Sequence, residues 1–221
     1  MRILVFDTET TGLPKDYNVI ASALPNNWPH IVSISWAILD SDTGSIMRAF
    51  SYIIKPMGWI VPKESTDIHG ITQRQAEEYG VSLKDVLNKF LSEECDILVA
   101  HNAYFDKNVV MNAMVWDLSI PFNGFLKPCK CSMLASKFMC KIPNYNKFGD
   151  FKYPKLKELY LYVMKDVPKT HQLHSSLYDT LFLCEVIQKS KELRMRLGIT
   201  EVENNNESQV HKPKTNQSST S

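Results

Sequence analysis

The sequence lacks a long apolar segment, a secretory leader and a strong net charge of either sign. No apolar run approaches the roughly 18–20 residues that a membrane-spanning helix needs, so we expect no membrane partner. The five cysteines are scattered and odd in number, and no signal peptide opens the chain, which predicts reduced thiols and a cytoplasmic location. The net charge of +1 neither requires nor excludes a nucleic-acid partner.

The cysteine pattern is also a weak indication of zinc, because the pair Cys129 and Cys131 lacks a second pair of cysteines or histidines. A chain of 221 residues is long enough for one large α/β domain. From Thr200 onward the composition is almost wholly polar and too poor in apolar residues to offset the entropy of ordering. We therefore predict one domain over residues 1–199 and a disordered polar tail over residues 200–221.

The first dozen residues carry the most informative pattern. Four consecutive apolar residues, 3–6, indicate a strand that is buried on both faces. Asp7 and Glu9 follow at positions i and i+2, so they lie on one face of the strand about 6–7 Å apart. Two carboxylates beside an apolar sheet repel each other, which favours a cation between them. On its own, the pattern also fits a strand that ends in a solvated acidic turn.

The remaining chain alternates strand and helix signals. Polar and apolar residues alternate over 31–39, which predicts a second strand. A hairpin-type turn follows, and a third strand is predicted over 46–54, so the first three strands form an antiparallel meander. A short apolar strand is predicted over 97–100. Helical spacing and capping residues predict helices over 72–80, 82–91, 104–116, 132–140, 156–164 and 175–196.

Four carboxylates lie at the end or in the first turn of predicted elements: Asp7, Glu9, Asp106 and Asp179. Their convergence would be electrostatically unfavourable without counter-charge, but it suits two divalent cations such as Mg²⁺ or Mn²⁺. Two such ions stabilise the attacking and leaving oxygens in displacement at phosphorus. His174 offers a group with a pKa near neutrality that can accept the proton of an attacking water.

Four segments in order resemble the motifs of the DnaQ-like, or DEDDh, 3′–5′ exonucleases. They are residues 6–13 (Phe-Asp-Thr-Glu-Thr-Thr-Gly-Leu), 68–72 (Ile-His-Gly-Ile-Thr), 101–106 (His-Asn-Ala-Tyr-Phe-Asp) and 174–179 (His-Ser-Ser-Leu-Tyr-Asp). The resemblance spans about residues 1–195. It implies an α/β, ribonuclease H-like fold, in which a mixed five-stranded sheet, with antiparallel strands 1–3 followed by parallel strands, is flanked by helices.

The resemblance also assigns roles at the catalytic centre. Asp7, Glu9 and Asp179 would hold the metal ion that activates water, and Asp7 would also touch the second ion. Asp106 would anchor that second ion, so the site would take two Mg²⁺ or Mn²⁺ ions. His174 stands five residues before Asp179, which is the position of the general base in the histidine form of the family.

Substrate contacts are implied for five further residues. Thr8 and Thr10 would offer backbone groups to the terminal nucleotide, and Leu13 would be an apolar wedge against the last bases unless it is an ordinary core leucine. His69 would either contact substrate or be structural. Asn102 would either bridge to a substrate phosphate or cap the following helix.

The motifs leave the substrate and the partners open. We favour single-stranded or 3′-terminal DNA, and an enzyme that trims RNA 3′ ends is the alternative, because both polymers share phosphodiester chemistry. A DNA polymerase is the protein partner that the resemblance suggests. A catalytically silent nucleic-acid-binding module on the same fold is a further alternative. Such a relic would be expected to have lost a carboxylate or the histidine, and all five groups are present.

Residues 127–157 hold eight lysines and one acidic residue, Asp150, with five aromatic residues among them. Lysines and interleaved aromatic residues are typical of surfaces that bind single-stranded nucleic acid. A solvated loop whose aromatic rings dock onto the core is the alternative. His101, in the second motif, would either contact substrate or support the site structurally, and we favour the structural role.

Overall fold

A five-stranded sheet lies at the centre of the structure, a computed structural model that describes residues 1–145, 149–166 and 175–199. The strands are arranged in the order β3-β2-β1-β4-β5. β1 pairs antiparallel with β2 and β2 with β3, whereas β1 and β4, and β4 and β5, are parallel, so the predicted mixed sheet is confirmed. The strands are Arg2–Thr10 (β1), Ile31–Asp40 (β2), Ile46–Ile53 (β3), Ile97–Ala100 (β4) and Cys129–Cys131 (β5).

Helices cover both faces of this sheet. They are Lys63–His69 (α1), Gln73–Tyr79 (α2), Leu83–Leu91 (α3), Ala103–Asn112 (α4), Ser132–Cys140 (α5), Leu156–Met164 (α6), Ser176–Lys189 (α7) and Lys191–Leu197 (α8). A 3₁₀ turn, Ala21–Ala23, interrupts the loop after β1, and a π-helical turn, Ala113–Asp117, extends α4. None of the described helices is long and apolar enough to cross a bilayer.

β1 is buried on both faces, as its apolar run predicts. Leu4 and Phe6 belong to a core with residues of α2, α3 and α4, while Ile3 and Val5 belong to a second core with residues of α5, α6, α7 and α8. The alternation of side chains along a strand explains this division. Asp7 and Glu9, which follow at the end of β1, therefore lie between two helical layers.

The helix after the second motif and the helices over residues 132–140 and 156–164 are confirmed, and so is the capping box that begins α2. The Thr72 hydroxyl accepts the backbone N–H of Gln75 at 3.2 Å, and the Gln75 side chain accepts the backbone N–H of Thr72 at 2.8 Å. Each side chain thus satisfies a backbone donor that the first helical turn leaves without a partner.

Two details of the helical prediction were wrong. The helix predicted over 175–196 is divided at Ser190, whose extended backbone ends α7 and whose hydroxyl accepts the backbone N–H of Leu193 at 3.1 Å, which begins α8. α1 was not predicted, because only Ser65 and His69 of its seven residues are buried and no apolar periodicity results.

Residues 200–221 lie outside the described residues, so the predicted polar tail and the 1–199 domain boundary stay predictions.

Candidate active site

Asp7, Glu9 and Asp179 form one carboxylate cluster at the end of β1. Each offers a carboxylate oxygen, and these oxygens all lie within 4.8 Å of one another. Asp7 and Glu9 share a face of β1 because side chains repeat every two residues along a strand. Asp179 reaches the same face from the first turn of α7. The prediction that these three side chains converge is confirmed.

Buried hydroxyl groups fix the start of α7 on the sheet. The Ser176 hydroxyl lies 3.0 Å from that of Ser33 and 2.7 Å from that of Ser35, and all three side chains are buried. The two β2 serines pair across the sheet with Glu9 and Asp7 of β1. This contact places the turn of α7 that carries the third carboxylate beside the other two.

Asp106 approaches from the opposite side of β1. It lies in the first turn of α4 and accepts two hydrogen bonds from Thr8, one from the hydroxyl at 2.8 Å and one from the backbone N–H at 3.2 Å. Because Thr8 alternates with Asp7 and Glu9 along the strand, Asp106 is held next to the three-carboxylate cluster and not within it. The Thr8 backbone donor that we expected to face substrate is therefore engaged by Asp106.

The carboxylates raise one another's affinity for protons. Burial, followed by repulsion from Asp106, Glu9 and Asp179, raises the pKa of Asp7 well above its usual range. Burial and the neighbouring acids raise the pKa of Glu9 to about 8. Burial alone raises the pKa of Asp179 to about 6 and, against the opposing hydrogen bonds from Thr8, that of Asp106 to about 7. A cation among these oxygens would relieve the repulsion.

The donor set fits a hard divalent cation. All ligand atoms of the cluster are carboxylate oxygens, which Mg²⁺ and Mn²⁺ prefer over nitrogen or sulfur. Within residues 1–145, 149–166 and 175–199 no other group of acidic, histidine or cysteine side chains comes together in this way. The cysteines of those segments are free thiols, so the weak indication of zinc at Cys129 and Cys131 gains no support.

The predicted general base, His174, lies outside the described residues. The described chain resumes with Ser175, immediately before α7. The assignment of His174 as a base therefore stays a prediction from the motif.

Three of the predicted substrate contacts have different surroundings in the structure: Leu13, Thr10 and Asn102. Leu13 is 72% exposed, which contradicts the core alternative and leaves its side chain free for an apolar contact. The Thr10 hydroxyl is buried and donates to the carbonyl of Gly12 at 2.7 Å, so it shapes the turn after β1. Asn102 has a left-handed backbone (φ 72°) and its side chain makes no capping hydrogen bond, which contradicts the capping alternative.

His69 is buried at the end of α1 and has a structural contact. Its Nδ1 accepts the backbone N–H of Ile71 at 3.1 Å, beside Gly70, whose φ of 77° ends the helix. Burial lowers the pKa of His69, an effect that the nearby backbone of Thr10 partly offsets. The other ring nitrogen, Nε2, is buried and makes no hydrogen bond of normal geometry with any residue that the structure describes. Contact with substrate stays a prediction.

His101 connects the strand that leads to Asp106 with the segment before α6. One ring nitrogen lies 3.0 Å from the hydroxyl of Ser132 and the other 2.9 Å from the carbonyl oxygen of Pro154. Burial lowers the pKa of His101 to about 4, so the ring is neutral near pH 7. The expected structural role is confirmed.

Comparison with protein families decides the classification. The exonuclease family model, RNase_T, matches residues 4–187, which include the three carboxylates of the cluster, Asp106 and His174. The chain belongs to the exonuclease family. The resemblance of its motifs to the DnaQ-like, DEDDh exonucleases is thereby confirmed, and the chain is an exonuclease.

Known relatives and solved structures agree with this classification. The chain is 27% identical over 205 residues to the PolC-type DNA polymerase III of Thermotoga petrophila, covering 91% of this exonuclease but only 13% of that polymerase. A structure of exonuclease X in complex with 5′ overhanging duplex DNA has a TM-score of 0.59 at 22% identity and covers 90% of this chain and 94% of that chain. The nuclease domain of 3′hExo, a DEDDh family member bound to rAMP, has a TM-score of 0.61 at 16% identity, with 85% and 90% covered. The ribonuclease H-like fold class is confirmed.

Proposed function

We propose that this exonuclease removes nucleoside 5′-monophosphates from the 3′ end of nucleic acid with two divalent metal ions, Mg²⁺ or Mn²⁺. The observation that carries the proposal is the convergence of carboxylate oxygens from Asp7, Glu9 and Asp179 within 4.8 Å. Divalent ions held by such oxygens stabilise the attacking and leaving oxygens of a phosphodiester.

The described carboxylates divide into two groups for this task. Asp7, Glu9 and Asp179 would hold one ion at the face covered by α7. Asp7 would share the second ion with Asp106, which lies in the first turn of α4. Both hydrogen bonds from Thr8 go to one oxygen of Asp106, Oδ1, so its second oxygen is the one that would face an ion or a bridging water.

His174 would act as the general base by accepting the proton of the attacking water on an imidazole nitrogen. The motif supports this role, since His174 precedes Asp179 by five residues. The cluster of three carboxylates is complete without a histidine, so the imidazole is not needed as a ligand. A positioned base of this kind contributes about 10²–10⁴-fold to the rate.

We favour DNA as the substrate, because the curated relative is a DNA polymerase and exonuclease X was solved with duplex DNA. The same relative supports the proposal of a DNA polymerase as partner, although the match covers only 13% of its length. RNA trimming is the second candidate, and the structure of 3′hExo with rAMP supports it.

A labelled-substrate assay tests the proposal. Single-stranded DNA and RNA of the same sequence, each labelled at the 5′ end, are incubated with the exonuclease in Mg²⁺ or in a chelator. We expect a ladder that shortens from the 3′ end with release of 5′-monophosphates in Mg²⁺ only, and faster for DNA. Shortening from the 5′ end, or an undiminished rate in chelator, would contradict it. Binding without any hydrolysis would favour the catalytically silent module.

A further inference from the structure

The lysine-rich stretch between β5 and α6 reaches the edge of the candidate active site. The Pro154 carbonyl is 2.9 Å from a ring nitrogen of His101, the residue that precedes Asn102 at the end of β4. Lys155 follows Pro154 directly and is exposed. The contact between Pro154 and His101 thus brings Lys155 near the end of β4, the strand that leads to Asp106.

The lysines of this stretch fall into two classes. Lys137 pairs with Asp150 at 2.9 Å and Lys152 pairs with Glu158 at 2.5 Å, so the charges of these two are compensated. Lys155 and Lys157 are exposed and form no ion pair with any residue that the structure describes. Lys147, a further lysine of the stretch, lies outside the described residues.

Two aromatic rings of the stretch have about half of their surface exposed and lie near the Lys137 ammonium group. Phe138 is 56% exposed and Tyr153 is 49% exposed, and neither belongs to a core of the protein. The ammonium group of Lys137 lies 5.5 Å from the ring centroid of Phe138 and 4.7 Å from that of Tyr153. For these two rings, docking onto the core is contradicted, and each offers area for base stacking.

We propose that Phe138, Tyr153, Lys155 and Lys157, here called the α5–α6 surface, bind the single-stranded nucleic acid upstream of the 3′ end. The inference rests on the proposed function and adds a second contact region to the same substrate. Free ammonium groups attract backbone phosphates, while stacking on aromatic rings tolerates any base. The α5–α6 surface thus binds long strands independently of their sequence, and a dinucleotide is too short to reach it.

A charge-neutralising variant tests the lysines. Lys155→Gln/Lys157→Gln is compared with a control, Lys84→Gln/Lys189→Gln, which removes two exposed lysines on α3 and at the end of α7. For a strand of about 20 nucleotides, we expect the α5–α6 variant to raise KM and to lower the slope of log KM against log salt by up to about 1.4, since each lost phosphate contact is worth about 0.7. Hydrolysis of a dinucleotide should be unchanged in both variants.

A second variant separates stacking from charge. Tyr153→Ser should raise KM for the long strand about fivefold or more, because stacking of one base has that effect on affinity, and it should leave the salt slope unchanged. Thermal unfolding of each variant checks that the half-exposed position does not perturb the fold. DNA and RNA strands are tested in parallel, since phosphates and base faces occur in both.

The experiment distinguishes a failure of the α5–α6 surface from a failure of the proposed function. Equal effects on long and short substrates, or equal effects of the two lysine pairs, would overturn the role of the α5–α6 surface. If the wild-type protein hydrolyses nothing, the proposed function fails. The surface is then tested by fluorescence anisotropy of a 5′-labelled strand, where the same ranking of variants is expected and its absence overturns the inference.

Discussion

Thr8 donates both its hydroxyl and its backbone N–H to a single oxygen of Asp106, at 2.8 Å and 3.2 Å. The two residues are 98 positions apart, so these bonds join the first motif on β1 to the second motif on α4. They hold a buried carboxylate beside the cluster of Asp7, Glu9 and Asp179. They also supply the donors that a buried ionised carboxylate requires.

Thr8→Val should therefore destabilise the protein, because it keeps the shape of the side chain and removes the hydroxyl donor. Loss of a hydrogen bond to a charged group costs about 1.5–3 kcal/mol, which lowers Tm by about 3–12 °C in a domain of this size. Thermal unfolding in chelator near pH 8, where Asp106 with its pKa of about 7 is ionised, measures the change. Thr10→Val is the matched control, since its buried hydroxyl donates only to the carbonyl of Gly12. An equal shift in both variants would show that the bond to Asp106 has no special weight.

Asp7→Ala should lose metal binding and activity together. Asp7 is the one carboxylate that both groups of ligands share in the proposed site, and the reaction depends on the ions, so the rate should fall on the order of a thousandfold or more. The rise of Tm on addition of Mn²⁺ and the rate of 3′-end hydrolysis are measured in parallel. Asp85→Ala, at an exposed position of α3, is the control. A near-normal rate of Asp7→Ala in Mg²⁺ would contradict the assignment.

The raised pKa values of the site predict how metal and pH act together on stability. The pKa of Glu9 is raised to about 8 and that of Asp106 to about 7, so the folded metal-free protein binds more protons than the unfolded chain up to about pH 8. Stability of the metal-free protein should fall as pH rises through this window. Ions bind the ionised carboxylates, so the increase in Tm caused by Mg²⁺ should be larger near pH 8 than near pH 6.5.

Above about pH 6.5, the effect of the carboxylates on stability can be measured without a contribution from His101. The pKa of His101 is lowered to about 4, so at this residue the unfolded chain binds the extra proton between about pH 4 and 6.5. The contribution of His101 to stability therefore rises with pH there and opposes that of the carboxylates. Differential scanning fluorimetry with chelator and with Mg²⁺ gives both curves. An increase in Tm that is independent of pH would mean that the cluster holds no excess protons.

Ser176→Ala should weaken metal binding although the serine touches no ligand atom. Its hydroxyl joins α7 to Ser33 and Ser35, so its removal loosens the turn that presents Asp179. We expect a higher concentration of Mn²⁺ for half-maximal activity and a cost of about 1–3 kcal/mol in the free energy of unfolding. Ser51→Ala, at the exposed end of the same hydroxyl chain, is the control and should alter neither quantity appreciably. If both variants need the same amount of metal, the hydroxyl contacts do not position Asp179.

The sequence predicts the parts of this site that local pattern determines. The spacing of Asp7 and Glu9 follows from strand geometry, and the motif order places Asp106 and Asp179 in first helical turns. The hydrogen bonds of Thr8 and Ser176 were not predictable, because they join residues 98 and 141 or more positions apart. A hydroxyl group can bond to many different partners, so the sequence does not show which one the fold brings to it. β5 has only three residues, too few for a recognisable alternation.

The variant His174→Ala should show whether His174 is a general base or a metal ligand. The three carboxylates that converge need no histidine, so the variant should keep the stabilisation by Mn²⁺ that Asp7→Ala loses. Turnover should fall by about 10²–10⁴, the usual contribution of a positioned base, and the wild-type rate should rise with pH through the imidazole pKa before it levels. His171→Ala is the control, since it removes an imidazole three residues earlier that lacks the five-residue spacing to Asp179. Should His174→Ala lose metal affinity as severely as Asp7→Ala, the histidine is a ligand, because a residue that only accepts a proton has no reason to change the binding of the ion.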